Sequence, residues 1–276
     1  MKTKKTVNQK LKRIFLSILL PAAMTASVTC NAQNNSGIPP HQMRVASYNI
    51  QHGMGMDNQL NYKRIAEVLR AISPDVVALQ EVDSMTQRTN NTYALGEIAE
   101  QLNYYASYAP AIDFEGGKYG IGILSRERPI SVRQYALPGS EEARTLLVAE
   151  FDDFVFASTH LSLTEADRIA SIGIIEEAAK KSGKPFVVAG DLNAQPDSPF
   201  IRQFEEKFQI CSGKQKSWPA DKPTECLDYI AAYKRKSTSK NGKGGAQQPA
   251  VTLFSDVLNT QASDHRPIVA EIVLPR

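Results

Sequence analysis

Short apolar runs that each stop on a polar residue recur along this chain. The sharpest is Phe186-Val187-Val188-Ala189-Gly190-Asp191-Leu192-Asn193, which follows Pro185 and reads as a buried strand with an acid at its end. A carboxylate belongs at the end because an unpaired charge inside such a run is costly to desolvate. Asp191 and Asn193 can then share a crevice at the carboxyl edge of a sheet, where open α/β sheets place their ligands. An Asx turn closing the strand accounts for the same letters. Arg44 to Ile50 alternates as a strand with Asn49 near its end, ahead of the glycine-punctuated Gln51-His52-Gly53-Met54-Gly55. Asp75 to Glu81 stops on Glu81, and Phe154 to His160 stops on His160. Taken alone, each of these has a plain reading as turn chemistry, a solvated strand end or a hydrogen-bonded structural histidine.

Between the runs the periodicity changes. Tyr62, Ile65, Ala66, Leu69 and Ile72 fall at helical spacing and Ser73-Pro74 stops that helix. Strand, helix, strand implies parallel pairing of the flanking strands, which brings Glu81 out beside Asn49. Leu95, Ile98, Ala99 and Leu102 predict a second short helix. Tyr119 to Ser125, Ile130 to Leu137, Thr145 to Phe151 and Phe154 to His160 read as strands joined in antiparallel hairpins. Thr164-Glu165-Ala166-Asp167 has the form of a capping box opening a helix that ends at Gly183. Further on, Trp218 to Pro223 reads as a rigid loop, and Leu227 to Tyr233 as a strand whose Asp228 needs a buried partner, for which a histidine N–H is suited. Val251 to Leu258 and Ile268 to Ile272 are the last strands, with Asp264 and His265 leading into the final one.

Composition changes the picture at the amino end. Residues 1–32 combine a basic stretch from Lys2 to Arg13, an apolar Ile14 to Met24 and the small-residue pattern Cys30-Asn31-Ala32, the features of a signal peptide. The protein is expected to be exported, to the periplasm or beyond, with a lipoprotein attached at Cys30 as the competing reading. Residues 33–42 read as a linker and 43–276 as one catalytic domain, monomeric and without a transmembrane segment. The leader holds six of the 32 Lys and Arg and no acid, so the remainder carries 26 basic against 29 acidic side chains, a net of −3. The formal +3 of the whole chain is thus no argument for nucleic-acid binding. Lys234 to Lys243 is a basic loop, either solvated or attracting phosphate. Cys211 and Cys226 are read equally as a disulfide or as two buried thiols.

Read together, Tyr48-Asn49-Ile50, Leu79-Gln80-Glu81, Ser158-Thr159-His160-Leu161, Gly190-Asp191-Leu192-Asn193, Leu227-Asp228-Tyr229 and Ser263-Asp264-His265 resemble, in order, the motifs of the endonuclease/exonuclease/phosphatase superfamily. That group includes deoxyribonuclease I, apurinic endonucleases, neutral sphingomyelinases and inositol polyphosphate 5-phosphatases. The resemblance implies an α/β fold of four layers, an α-β-β-α sandwich of two mixed β-sheets. It implies a Mg²⁺-dependent hydrolase of phosphate esters, with Mn²⁺ as a substitute, acting by in-line attack of water. By resemblance Glu81 is the main metal ligand with Asn49 and Asp264 near the ion, and His265 is the base, oriented by Asp228. Asp191 with Asn193 orients the nucleophile, and His160 stabilises the charged transition state. Whether Asp191 or His265 takes the proton is left open, and Tyr119 and Arg144 stand where such enzymes contact phosphate. Cys226-Leu227 replaces the basic residue that relatives often carry just before the Asp-Tyr pair. A phosphodiesterase of a phospholipid headgroup or small soluble ester is the expectation, with a nuclease less favoured and a catalytically silent binder as the alternatives.

Overall fold

The computed structural model describes residues 41–235 and 249–275. The leader at 1–32, nearly all of the linker and most of the basic loop lie outside the described residues. The strands are β1 (His41–Asn49), β2 (Val76–Ser84), β3 (Tyr105–Phe114), β4 (Gly117–Ser125), β5 (Ser131–Leu137), β6 (Arg144–Glu150), β7 (Val155–His160), β8 (Phe186–Asp191), β9 (Phe208–Ile210), β10 (Asp228–Tyr233), β11 (Val251–Val257) and β12 (Ile268–Leu274). The helices are α1 (Tyr62–Ile72), α2 (Ala94–Leu102), α3 (Glu165–Ser182) and α4 (Pro199–Lys207).

Two mixed sheets of six strands form, one in the order β11-β12-β1-β2-β4-β3 and the other β5-β6-β7-β8-β10-β9. Each contains one parallel pair, β1 with β2 and β7 with β8, and the helix between those strands covers the outer face. The layering follows from the period of two along buried strands. On β8, Val187 and Ala189 point into the core between the sheets, while Phe186 and Val188 point out toward α3 and α4. On β2, Val76 and Ala78 face the same central core, while Val77 and Leu79 meet Ile65, Leu69 and Ile98 of α1 and α2. A strand apolar on both faces is a strand covered on both faces, and the result is an α-β-β-α sandwich.

Helix boundaries follow local chemistry. Asn61 caps α1 by accepting the Arg64 N–H at 2.9 Å, and Ser73 ends it in the left-handed region at φ 54°. Thr164 does begin α3, but the capping-box contact is absent and its hydroxyl turns to Glu141. Asp167 instead accepts the Ser140 N–H and the Ser162 hydroxyl, tying the helix to the loop before β6.

Two expectations are revised, and the open reading of the cysteines is decided. Tyr119 to Ser125 belongs to β4, paired with β2 and β3 in the first sheet, whereas β5, β6 and β7 form a meander in the second. The chain crosses between sheets through Arg126 to Ile130, where Arg126 Nε is held by the Pro74 carbonyl. The strand carrying Glu81 runs on to Ser84, with a bulge between Leu79 and Val82. Cys211 and Cys226 are both buried free thiols.

Candidate active site

Polar strand ends gather where the carboxyl ends of the two parallel pairs meet. In the second sheet His160 of β7 stands in register with Asp191 of β8, and Asp191 in register with Asp228 of β10. β7 and β8 therefore end, and the antiparallel β10 begins, on polar side chains in one row, and all three residues are buried. In the first sheet Asn49 ends β1 and Glu81 sits in the β2 bulge with φ at 56°. A bulge re-aims a side chain, and a non-glycine residue in the left-handed region is held there at some cost by its surroundings. The re-aimed Glu81 Oε1 accepts Asn49 Nδ2 at 2.9 Å. The same Nδ2 lies 3.2 Å from Asp191 Oδ2, so one amide links the two sheets.

Asp191 holds the centre. Its Oδ1 accepts the Asn193 backbone N–H at 2.9 Å, an Asx turn, while Oδ2 lies 3.6 Å from His160 Nε2 and 3.7 Å from His265 Nε2. The Asn193 side chain donates to the Leu161 carbonyl at 2.9 Å, fixing the loop after β7. His265 Nδ1 meets Asp228 Oδ2 at 2.9 Å, so Asp228 has the histidine partner its burial requires. Asp264 is placed by Ser263 Oγ at 3.2 Å and Trp218 Nε1 at 3.4 Å, and Ser263 Oγ also reaches the Asn49 carbonyl. Tyr119 and Arg144 lie apart from this network and line a small cleft together with His160.

Charge crowding sets the electrostatics. Burial raises the pKa of Glu81, the Asn49 hydrogen bond opposes this, and Asp264 and Asp191 add to the rise. His160 is pushed down to about 4 by burial, against the pull of Asp191, and is neutral at physiological pH. His265 loses solvation too, but Asp228, by charge and hydrogen bond, and then Asp191 and Asp264 hold it up at about 10. Two histidines flanking one carboxylate thus carry different charges.

Asp191, Asp228 and His265 present ligand atoms within 4.8 Å of one another and could hold a metal ion. Nearby, Glu81 and Asp264 offer hard carboxylate oxygens suited to a divalent cation. Asn49 turns its nitrogen toward the carboxylates and its oxygen to the Gln51 N–H, which makes it a donor to Glu81 here.

The sequence matches the endonuclease/exonuclease/phosphatase family over residues 46–265. The chain belongs to that family. Solved relatives share its fold: an endonuclease/exonuclease/phosphatase from Bacteroides vulgatus (TM-score 0.69, 17% identity, 85% of this chain and 100% of that one) is one. A mannosyl-6-phosphatase from Bacteroides thetaiotaomicron gives 0.65 at 18% identity, over 84% and 99% of the two chains. The catalytic domain of human Nocturnin, with bound sulfate, gives 0.61 at 16%, over 85% and 95%. No curated protein sequence matches. Members of this family are hydrolases acting on phosphate esters or nucleic acids.

Two participants escaped the reading of the sequence. Ser217 is fully buried and donates its hydroxyl to Asp228 Oδ2. Glu142 lines the cleft beside Arg144. Neither interrupts an apolar run, and Glu142 precedes its strand rather than ending it.

Proposed function

We propose that this member of the family is an exported phosphoric ester hydrolase that uses Mg²⁺, or Mn²⁺ in its place, and cleaves small phosphodiesters or related esters. The observation that supports this best is the Asn49 amide, bonded at once to Glu81 and Asp191. It sets a carboxylate of the cation-binding type against the residues suited to activating water. Like-charge crowding of Glu81, Asp264 and Asp191 fits a divalent cation, with Glu81 and Asp264 as its oxygen ligands and Asn49 steadying Glu81. When bound, such a cation offsets charge on the phosphoryl oxygens.

The chain's own residues supply the rest. On this reading a water held against Asp191 and Asn193 attacks phosphorus in line and passes its proton to Asp191, while His265, already protonated with its pKa held up at about 10, steadies the charge beside it. Asp228, bonded to His265 Nδ1, fixes the orientation of that ring and leaves Nε2 facing Asp191. On this reading His160, Arg144 and Tyr119, which line the cleft, donate to oxygens on which charge develops. Among the described residues no helix is long and apolar enough to cross a membrane.

The test is hydrolysis of bis-p-nitrophenyl phosphate, p-nitrophenyl phosphate and plasmid DNA in parallel, with Mg²⁺ and with EDTA. Activity on the small esters that needs metal and disappears in His265→Ala is expected. Folded, metal-supplied protein that leaves all three intact overturns the reading, and preference for DNA replaces it with a nuclease.

A further inference from the structure

The loop that leaves β7 after His160 is held through its polar groups. Leu161 is buried, but Leu163 turns its side chain to solvent and is 66% exposed. The Leu161 carbonyl accepts Asn193 Nδ2, and the next two carbonyls, those of Ser162 and Leu163, both accept Arg168 Nη1, at 2.9 and 2.7 Å. Glu141 binds the same loop, taking the Leu163 N–H on Oε1 and the Ser162 hydroxyl on Oε2, both at 2.7 Å. Its Oε1 also lies 3.2 Å from Arg144 Nη2. One loop thus connects His160 with Arg144, and both line the same cleft.

Stability does not account for Arg168. It is the fourth residue of α3, where a positive charge opposes the helix dipole. It is only 8% exposed, and burial pulls its pKa down against the charges of Glu165, Glu141 and Asp191. Its Nε is buried without a hydrogen-bond partner among the described residues. A buried guanidinium bonded to neutral carbonyls recovers only part of its lost hydration, and a packed apolar side chain in such a place is often the more stable choice. What the arginine adds is geometry. Nη1 carries two N–H groups, one for each carbonyl, so a single nitrogen fixed on a helix sets two consecutive peptide groups.

We propose that Arg168 is a positioning residue: by clamping the two carbonyls that follow Leu161, it holds His160 at the cleft in the orientation that the transition state needs. This rests on the reading of the site as an ester hydrolase. Arg144 keeps Glu142 at 3.3 Å as a second partner, so the effect falls on His160, and on kcat more than on KM. In the full chain Arg168→Met keeps an apolar stem and removes the donors. With bis-p-nitrophenyl phosphate and Mg²⁺, kcat is expected to fall about tenfold in that variant, because a donor to the transition state is misplaced. Arg168→Lys restores a donor and should recover part of the loss. Because Arg168 acts through His160, Arg168→Met should cost less than about twofold when His160→Ala is already present. An equal loss in both backgrounds overturns the proposal, since a general loosening of the fold would act on each alike. Melting curves establish that each variant is folded at the assay temperature. If Arg168→Met does not fold, the same cycle is run with Arg168→Lys, and failure of both to fold makes the arginine structural and overturns the proposal. If the wild type hydrolyses nothing, the hydrolase reading has failed by itself, and amide hydrogen exchange over residues 159–164 decides the inference. Faster exchange in Arg168→Met supports it, and unchanged exchange overturns it.

Discussion

Ser217 donates its hydroxyl to Oδ2 of Asp228, the same oxygen that receives Nδ1 of His265, and Asp228 Oδ1 is buried without a hydrogen-bond partner among the described residues. One carboxylate oxygen therefore carries both contacts that hold the imidazole in place. Ser217 sits in the segment pinned to Glu225 and Arg266 by backbone hydrogen bonds, so its hydroxyl is delivered by a rigid loop. Ser217→Ala removes a donor to a buried charge and is expected to cost about 1–3 kcal/mol of stability. On the proposed mechanism it should also lower kcat more than it raises KM, because the group it loosens orients the His265 ring. Chemical denaturation and steady-state kinetics on p-nitrophenyl esters check the two effects separately.

Glu81 holds the left-handed conformation at φ 56° and carries a carboxylate among other carboxylates. Both features work against stability in the metal-free protein. Asparagine tolerates that backbone region and has no charge. Glu81→Asn is therefore expected to raise metal-free stability by about 1–2 kcal/mol, a few degrees in melting temperature. The same variant should lose about 100-fold in activity and in Mg²⁺ response, since residues behind a metal's ligands already cost about 10–100-fold. Melting curves with and without Mg²⁺ give both numbers, and a variant that melts lower without metal would remove the strain argument.

The fold was legible where burial leaves a continuous signature. The run Phe186 to Asp191 is apolar because it is covered on both faces, and its abrupt acid marks the sheet edge. Helix α1 announced itself through period and stop signal alike. By contrast β3 was missed, because an edge strand carrying Pro110 buries only Ala109 fully and shows no apolar run. Helix α4 was missed because Phe200, Ile201 and Phe204 are too few to set a period, although Ser198 followed by Pro199 is a legitimate start signal. Of the site, residues that end buried strands stood out, since a polar group there contrasts with its neighbours. Ser217 and Glu142 gain their meaning only from tertiary approach, and nothing local distinguishes them from ordinary loop residues.

Glu141 makes the loop before β6 sensitive to acid. Burial disfavours its charge, but the Ser162 hydroxyl, the Leu163 N–H and Arg144 outweigh that and hold its pKa down at about 2 against an ordinary 4.5. A folded-state pKa below the unfolded one adds stability that is fully present above pH 4.5 and is lost as pH falls toward 2. Glu141→Gln removes this contribution, so the stability difference from wild type should be largest above pH 4.5 and shrink between 4.5 and 2. Urea midpoints measured across that window check it. A difference independent of pH would assign the effect to lost hydrogen bonding alone.

Arg88 joins the fold to the cleft that Tyr119 lines. Its Nε and Nη2 bond both oxygens of Asp83 at 2.7 and 2.8 Å, and its guanidinium lies 4.4 Å from the Phe114 ring centre and 5.4 Å from that of Tyr119. The Asp83 side chain is wholly inaccessible, whereas that of Arg88 is partly exposed, so removing the arginine strands a buried charge. Arg88→Ala is expected to cost about 3 kcal/mol, relieved in part by the Thr86 hydroxyl that also bonds Asp83. Because the loss comes from the stranded carboxylate, Asp83→Asn combined with Arg88→Ala should recover much of it. A double-mutant cycle by chemical denaturation measures the coupling. Tyr119 loses its cationic neighbour in Arg88→Ala, and KM for small esters is expected to rise as the ring loosens over the cleft. Additive single-mutant costs, with KM unmoved, would show the pair to be independent of each other and of the site.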